Sequence, residues 1–392
     1  MKIYGLYLED KIITGGARRY VELLTSIAKK GVDVTVFVNQ KLQDEFLPCN
    51  VHPISIILKK GRRISVEIAR QLKTFLKKNT YLYNDYNKIK ESGEEESYLI
   101  IFGETDWTAG KVFCHFFDAK IVFAYRSDEI EEIRSFFRLE RLSIRDKIFF
   151  FLRYFLIRKR EKEIAKKAAL LVFQTDNDKN HFLERNPHPL AKIVVIPNDI
   201  LQDRFKAEYK DKNKSMMCRH ILFVGSYDIR KGFNILLYAL KELKELFLTH
   251  NIKVSILARG NMKSEQKKLI EAFSLGDILH FETSEKEPQK LMIASDLLIV
   301  PSLFDSFPNV IMEALHVGCP ILASDVSGIP YMLTSGELRF DVASPSSLAK
   351  KIQTAIKDDD YYKSLRSLCK KEKEKFEFDW PLLWLDAMKR NR

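Results

Sequence analysis

Short runs of β-branched and aromatic residues alternate with helix-length amphipathic segments along the whole chain, and few folds accept that alternation. Ile3–Leu8 is followed by a helical pattern over Ala17–Lys30, then Gly31 and a second run at Asp33–Val38, which reads as strand, helix, strand. Tyr98–Phe102, Lys120–Tyr125, Leu170–Gln174 and Ile193–Ile196 continue the series in the first half. In the second half it resumes with Ile221–Gly225, Lys253–Ala258, Ile278–Phe281, Leu297–Pro301 and Pro320–Ala323. These runs are continuously apolar instead of alternating, as parallel strands buried on both faces require. Helices between them then cover both faces of each sheet, so the fold class is α/β, doubly wound. At roughly 100–200 residues per domain, 392 residues make two such domains. Only 15 Gly and 12 Pro are present, too few for an all-β chain or a long structureless linker.

The expected organisation is a first domain over 1–200, a hinge over 201–219, a second domain over 220–375 and a final segment, 376–392. The hinge is placed where Lys, Asp, Asn and Ser around Tyr209–Ser215 break the apolar periodicity. In the final segment Trp380 and Trp384 stand four residues apart on one helical face, an apolar stripe expected to dock back on the first domain. Acidic residues at Glu9 and Asp10 interrupt any signal-peptide core, and no run of 18 uncharged apolar residues occurs. The five cysteines lie 50 to 104 residues apart, without C-x-x-C or zinc spacing, so a reducing, cytoplasmic setting is expected.

The segment Leu297–Met332 carries the sharpest chemistry. A strand ends near Pro301, a loop carries Asp305, and a helix begins near Pro308-Asn309. The free N–H groups of Asn309 and Val310, with the helix dipole, suit a phosphate or diphosphate, and Asp305 and Glu313 would flank it. A second segment, Ile221–Phe233, reads as strand, open loop with Arg230 and Lys231, then helix. Near the start, the adjacent Gly15 and Gly16 permit a backbone approach that any Cβ would block.

These segments resemble the retaining glycosyltransferases of family 4, whose two-domain GT-B fold pairs Rossmann-like domains across a cleft. The family's Glu-x7-Glu falls on Asp305 and Glu313, in a setting that continues through Phe307-Pro308-Asn309-Val310, Gly318-Cys319-Pro320 and Ser324–Pro330. Gly15–Val38 resembles its first glycine-rich strand–helix unit, and Val194–Asn198 its I-P-N turn. This chain departs from the pattern in having Asp305 for Glu, Ser226 for an arginine after Gly225, and Arg126 near the place of a histidine. The resemblance implies a catalytic set of Asp305, Glu313, Lys231 and Arg230. It implies donor contacts at Gly15, Gly16, Gly225, Ser226, Phe307, Pro308, Asn309 and Val310. On the acceptor side stand Arg126 by its position, Arg19 by its place against the dipole at a helix start, and Glu104 and Asp106 at a strand end.

A third feature lies between the motifs. Residues 134–162 hold ten basic and three acidic side chains, with Arg134, Arg138, Arg141 and Arg145 spaced as one helical stripe ahead of the run Ile148–Ile157. That run is too short to span a bilayer but fits a helix in an anionic headgroup layer, with Phe150 and Phe151 inserted. A buried helix with a solvated basic end is the alternative. The expected function is transfer of a sugar from a nucleotide-diphosphate donor to a lipid-linked or saccharide acceptor with retention, in envelope polysaccharide or glycolipid synthesis. It needs no metal or other cofactor and engages no nucleic acid; the protein is cytoplasmic, with possible peripheral attachment to the inner face of the cell membrane through 134–160. A nucleotide-sugar epimerase of the same fold and a non-catalytic partner subunit remain as alternatives.

Overall fold

The computed structural model describes residues 1–9, 15–56, 64–82, 96–103, 106–139, 144–200, 217–283 and 287–390. Most of the expected hinge, 201–216, lies outside the described residues, as does Glu104. The chain forms two compact units, the first from Met1–Asp128, Leu152–Pro197 and Asp379–Arg392, the second from Glu129–Phe151 and Asn198–Phe378.

The first unit is built on seven strands: β1 (Lys2–Tyr7), β2 (Asp33–Asn39), β3 (Asn50–Ile54), β4 (Ser97–Phe102), β5 (Lys120–Tyr125), β6 (Leu170–Phe173) and β7 (Lys192–Val195). They are parallel throughout, in the order β3-β2-β1-β4-β5-β6-β7. The second unit has six, β8 (His220–Ser226), β9 (Lys253–Arg259), β10 (Leu279–Phe281), β11 (Leu297–Val300), β12 (Ile321–Ser324) and β13 (Arg339–Phe340), in the order β10-β9-β8-β11-β12-β13. In each sheet the chain moves outward one way and then the other, so the order reverses between β1 and β4 and between β8 and β11. Crevices at the carboxyl ends of such strand pairs are where doubly wound sheets bind ligands.

The apolar runs lie in the sheets, and the strands β3 and β13 are additional to the sequence reading. β3 reads Asn-Val-His-Pro-Ile, and its Pro53 is tolerated because the strand is an edge. In the first unit Tyr4, Phe37, Phe113 and Phe117 form an aromatic nucleus, with Phe113 and Phe117 stacked at 4.2 Å. The helix Trp380–Lys389 belongs to this unit. Trp384 packs 5.7 Å from Phe102, and the Arg19 guanidinium lies 4.2 Å from the Trp380 ring. Asp379 caps this helix by accepting from the Leu382 N–H and also pairs with Lys30 at 2.5 Å.

The basic aromatic stretch is divided. One helix, Glu129–Leu139, ends before another begins at Ile144 and runs to Lys167. Arg134 lies on the first of these helices and Arg145 on the second; residues 140–143, and with them Arg141 and the join that the expected stripe would cross, lie outside the described residues. Phe150 is half-buried against Phe136 and Phe137 at 5.5 and 6.4 Å, whereas Phe151 is exposed. Among the described residues no helix is long and apolar enough to cross a membrane.

The rear of the Ile144–Lys167 helix is fixed by a buried carboxylate. Glu161 is fully buried and accepts from Arg158 at 2.5 Å, Asn186 at 2.7 Å, the Tyr125 hydroxyl at 2.9 Å and Arg185 at 2.9 Å. Arg185 also binds the buried Asp128 at 2.8 Å, which ties the helix to the loop after β5. Removing one partner of a buried ion pair strands the other charge in a poor solvent. Glu161→Ala is expected to lower the unfolding free energy by about 3 kcal/mol in urea titrations, with Glu161→Gln losing less; equal stability of wild type and the alanine variant would contradict this network.

Candidate functional site

The second unit's site is assembled at the β8/β11 reversal. After β8 the chain makes a single 3-10 turn, Ile229–Lys231, and enters the helix Phe233–Thr249 through Gly232. Gly232 has φ +66°, and a Cβ there would stand 1.7 Å from the Pro301 carbonyl oxygen. Only glycine permits that approach, which brings the Arg230-Lys231 turn against the end of β11. The Leu303 N–H donating to the Arg230 carbonyl at 2.8 Å fixes the contact.

Asp305 lies on the loop after β11 and is 6% exposed. Lys231 Nζ is 2.5 Å from its Oδ2, and Arg230 Nη1 is 3.6 Å from the same oxygen. Burial alone would push the Asp305 carboxyl up, but the Lys231 and Arg230 charges and the Phe307 N–H hold it below the usual carboxylate range. Arg230 also lies 3.7 Å from Glu132, so acids and cations are matched in this cluster. Ser226 donates to Asp228 at 2.7 Å, and Gly225 precedes it on β8.

The helix Asn309–His316 starts beside this cluster with Pro308 as its N-cap. Pro308 and Phe307 are buried, Phe307 edge-on to Phe376 at 6.0 Å, while Asn309, Val310 and Glu313 are half-buried. The Asn309 side-chain oxygen accepts from Asn198 at 2.9 Å. Asn198, 1% exposed, is thus part of this site, although its I-P-N turn was its only signal in the sequence. Together the cations of the 3-10 turn, the unpaired N–H groups of a helix start and two carboxylates make a place where an anion can exchange with Asp305 as partner to Lys231.

The first unit carries its own cluster at the β1/β4 reversal. Gly15 and Gly16 open the helix Gly15–Lys29. From that helix Tyr20 straps the two strands, its hydroxyl accepting from the Leu6 N–H and donating to the Ile100 carbonyl, both at 2.7 Å. Arg19 is 2% exposed and pairs with Glu22 at 3.2 Å besides covering Trp380, so its guanidinium helps to seat the C-terminal helix. Arg126, after β5, lies 4.7 Å from the Phe102 ring. Burial, then the like charge of Arg19, lowers its pKa to about 9, with Glu22 opposing, and it stays a cation at neutral pH. Asp106, at the start of the helix Trp107–Phe117, is 9% exposed and makes no capping bond. Burial, reinforced by Glu9, raises its carboxyl to about 8.

Residues 205–375 match the family model described as Glycosyl transferases group 1. The chain is 28% identical over 218 residues to a D-inositol 3-phosphate glycosyltransferase of Corynebacterium jeikeium, a match covering 51% of this chain and 52% of that protein. The chain thus spans about half the length of the curated relatives it matches. Among solved structures, a glycosyltransferase from Rickettsia africae superposes with a TM-score of 0.68 at 15% identity, covering 100% of this chain and 98% of the other. Anabaena HepE in complex with UDP-glucose superposes with a TM-score of 0.66 at 14% identity, covering 99% and 98%. These structures share the architecture described above, two doubly wound parallel-sheet domains of the GT-B type.

The raised Asp106 carboxyl has a measurable consequence. Because its folded-state pKa exceeds its unfolded one, the stability it confers is complete below pH 3.8 and is lost as pH rises towards about 8. Thermal melts should therefore show Asp106→Asn gaining stability relative to wild type between pH 4 and pH 8, and no further above that. A difference that stays flat across this range would mean that Asp106 is ionised in the folded protein.

Proposed function

We propose that the chain is a glycosyltransferase that moves a sugar from a nucleotide-diphosphate donor to a lipid-linked or saccharide acceptor, with retention at the anomeric carbon. The observation that carries this reading is the convergence of Lys231 and Arg230 on buried Asp305, beside the start of the Asn309–His316 helix and inside the residues that match the group 1 model. UDP-glucose bound to a protein of the same fold supports a nucleotide sugar as the donor.

In this reading the donor diphosphate takes the place of Asp305 as the partner of Lys231 and Arg230, and the N–H groups at Asn309 and Val310 receive its oxygens. The bond from the anomeric carbon to the diphosphate oxygen breaks as the acceptor hydroxyl oxygen bonds to the same face. The acceptor proton leaves with the diphosphate. Negative charge gathers on the departing group, and fixed cations and aligned N–H dipoles aimed at it lower the barrier. No covalent nucleophile is assigned. Glu313 and the released Asp305 carboxylate hold donor hydroxyls, while Gly225 and Ser226 leave room for the phosphates. The side-chain cations supply the positive charge, and the reading invokes no metal or cofactor. Arg126 and Asp106 serve the acceptor side in unit one.

Incubation with UDP, GDP, dTDP and ADP sugars, with and without acceptor extracts, tests the proposal and separates it from the epimerase, which consumes a UDP-sugar without an acceptor. Acceptor-dependent consumption is expected, and Glu313→Ala should reduce it on the order of a hundredfold with an unchanged melting temperature. Near-normal turnover by the folded Glu313→Ala protein would remove that residue from the site.

A further inference from the structure

The Ile144–Lys167 helix is apolar on two opposite faces. At about 100° per residue, Phe150, Ile157, Glu161 and Ile164 share one side, and the last three are buried. Ile144, Ile148 and Leu152 fall on the other side, with Phe149 and Leu156 at its margin, and each of these five is more than half exposed. A surface helix normally turns a polar face to water, and an exposed apolar stripe marks a surface that is covered in use.

The charges around the stripe identify what covers it. Arg145 stands at its front, and where the apolar residues end the same face continues as Lys159 and Lys162, all three exposed. From Ile144 to Leu156 the stripe runs about 18 Å at 1.5 Å per residue, well short of the ~30 Å hydrocarbon layer. It therefore lies along a surface instead of crossing it. A second copy of the helix, paired in either direction, would set these cations against cations, whereas anionic headgroups complement both ends at once. We propose that this face of the helix lies in the headgroup layer of an anionic lipid bilayer. This docking does not depend on the transfer reading above.

Flotation of the full chain with vesicles tests the docking without donor or acceptor, so its failure leaves the transfer reading standing, and a chain that floats but transfers no sugar leaves the docking standing. Binding is expected to vesicles of phosphatidylglycerol and phosphatidylcholine at low salt and to be much weaker on phosphatidylcholine alone. Ile148→Asp with Leu152→Asp should lose at least about tenfold in partitioning with an unchanged melting temperature, since both positions are exposed. Lys159→Glu with Lys162→Glu should lose about tenfold at low salt and much less at high salt, where the Debye length is short. In Leu152→Trp the emission should shift to the blue only when anionic vesicles are added. Three results would overturn the proposal: wild type entirely unbound at low salt, undiminished binding by the double aspartate variant, or a blue shift of Leu152→Trp that follows protein concentration without lipid, the mark of a second copy.

Discussion

A parallel strand must be covered on both faces, and in both units that requirement decides where ligands can be met. Helices cover the two faces in turn, so the chain builds outward from a middle strand, returns, and builds the other way. At the reversal the connections part, and the carboxyl ends of β1 and β4, or of β8 and β11, are left with loops and helix starts around them, where such sheets bind ligands. The groups that form the two candidate clusters, Lys231, Arg230 and Asp305 in one unit and Tyr20 and Asp106 in the other, stand at these two places. The sheets thus fix the positions, and the loops supply the chemistry.

In the second unit the chemistry turns on a buried carboxylate and two cations that satisfy one another without a ligand. Asp305, 6% exposed, would be costly to keep charged without a counter-ion. Lys231 meets that need at 2.5 Å. In the proposed reading, an incoming diphosphate would exchange one anion for another at a cation already paired with a carboxylate. Gly232 contributes indirectly, since the contact depends on the turn coming so close to the Pro301 carbonyl. In the first unit the opposite balance holds at Asp106, where burial, reinforced by Glu9, favours the neutral acid.

Much of this was legible in the sequence because it is local. Long apolar runs mark central strands, and the turn with Arg230 and Lys231, the loop with Asp305 and the helix start at Asn309 each lie within a few residues of a strand end. What was not legible depends on partners distant in the chain. β3 carries Asn50, His52 and Pro53 because an edge strand tolerates them, so it lacks the pattern of its neighbours. Arg19 resembles an anion-binding residue until Trp380 is found beneath it. Asn198 meets Asn309 only once the second unit has folded. Within Phe149-Phe150-Phe151 nothing local separates the ring that packs from those that face out; the contacts of Phe150 with Phe136 and Phe137 do.

The central claim is that a diphosphate replaces Asp305 at Lys231. Calorimetric titration of UDP, GDP, dTDP and ADP, each beside its own nucleoside, measures that exchange directly. At least one diphosphate should bind tighter than its nucleoside by on the order of tenfold to a hundredfold, as charge-assisted hydrogen bonds to phosphate imply, and Lys231→Met should erase most of that difference. Equal affinities for diphosphate and nucleoside, or a preference that survives Lys231→Met intact, would contradict the account.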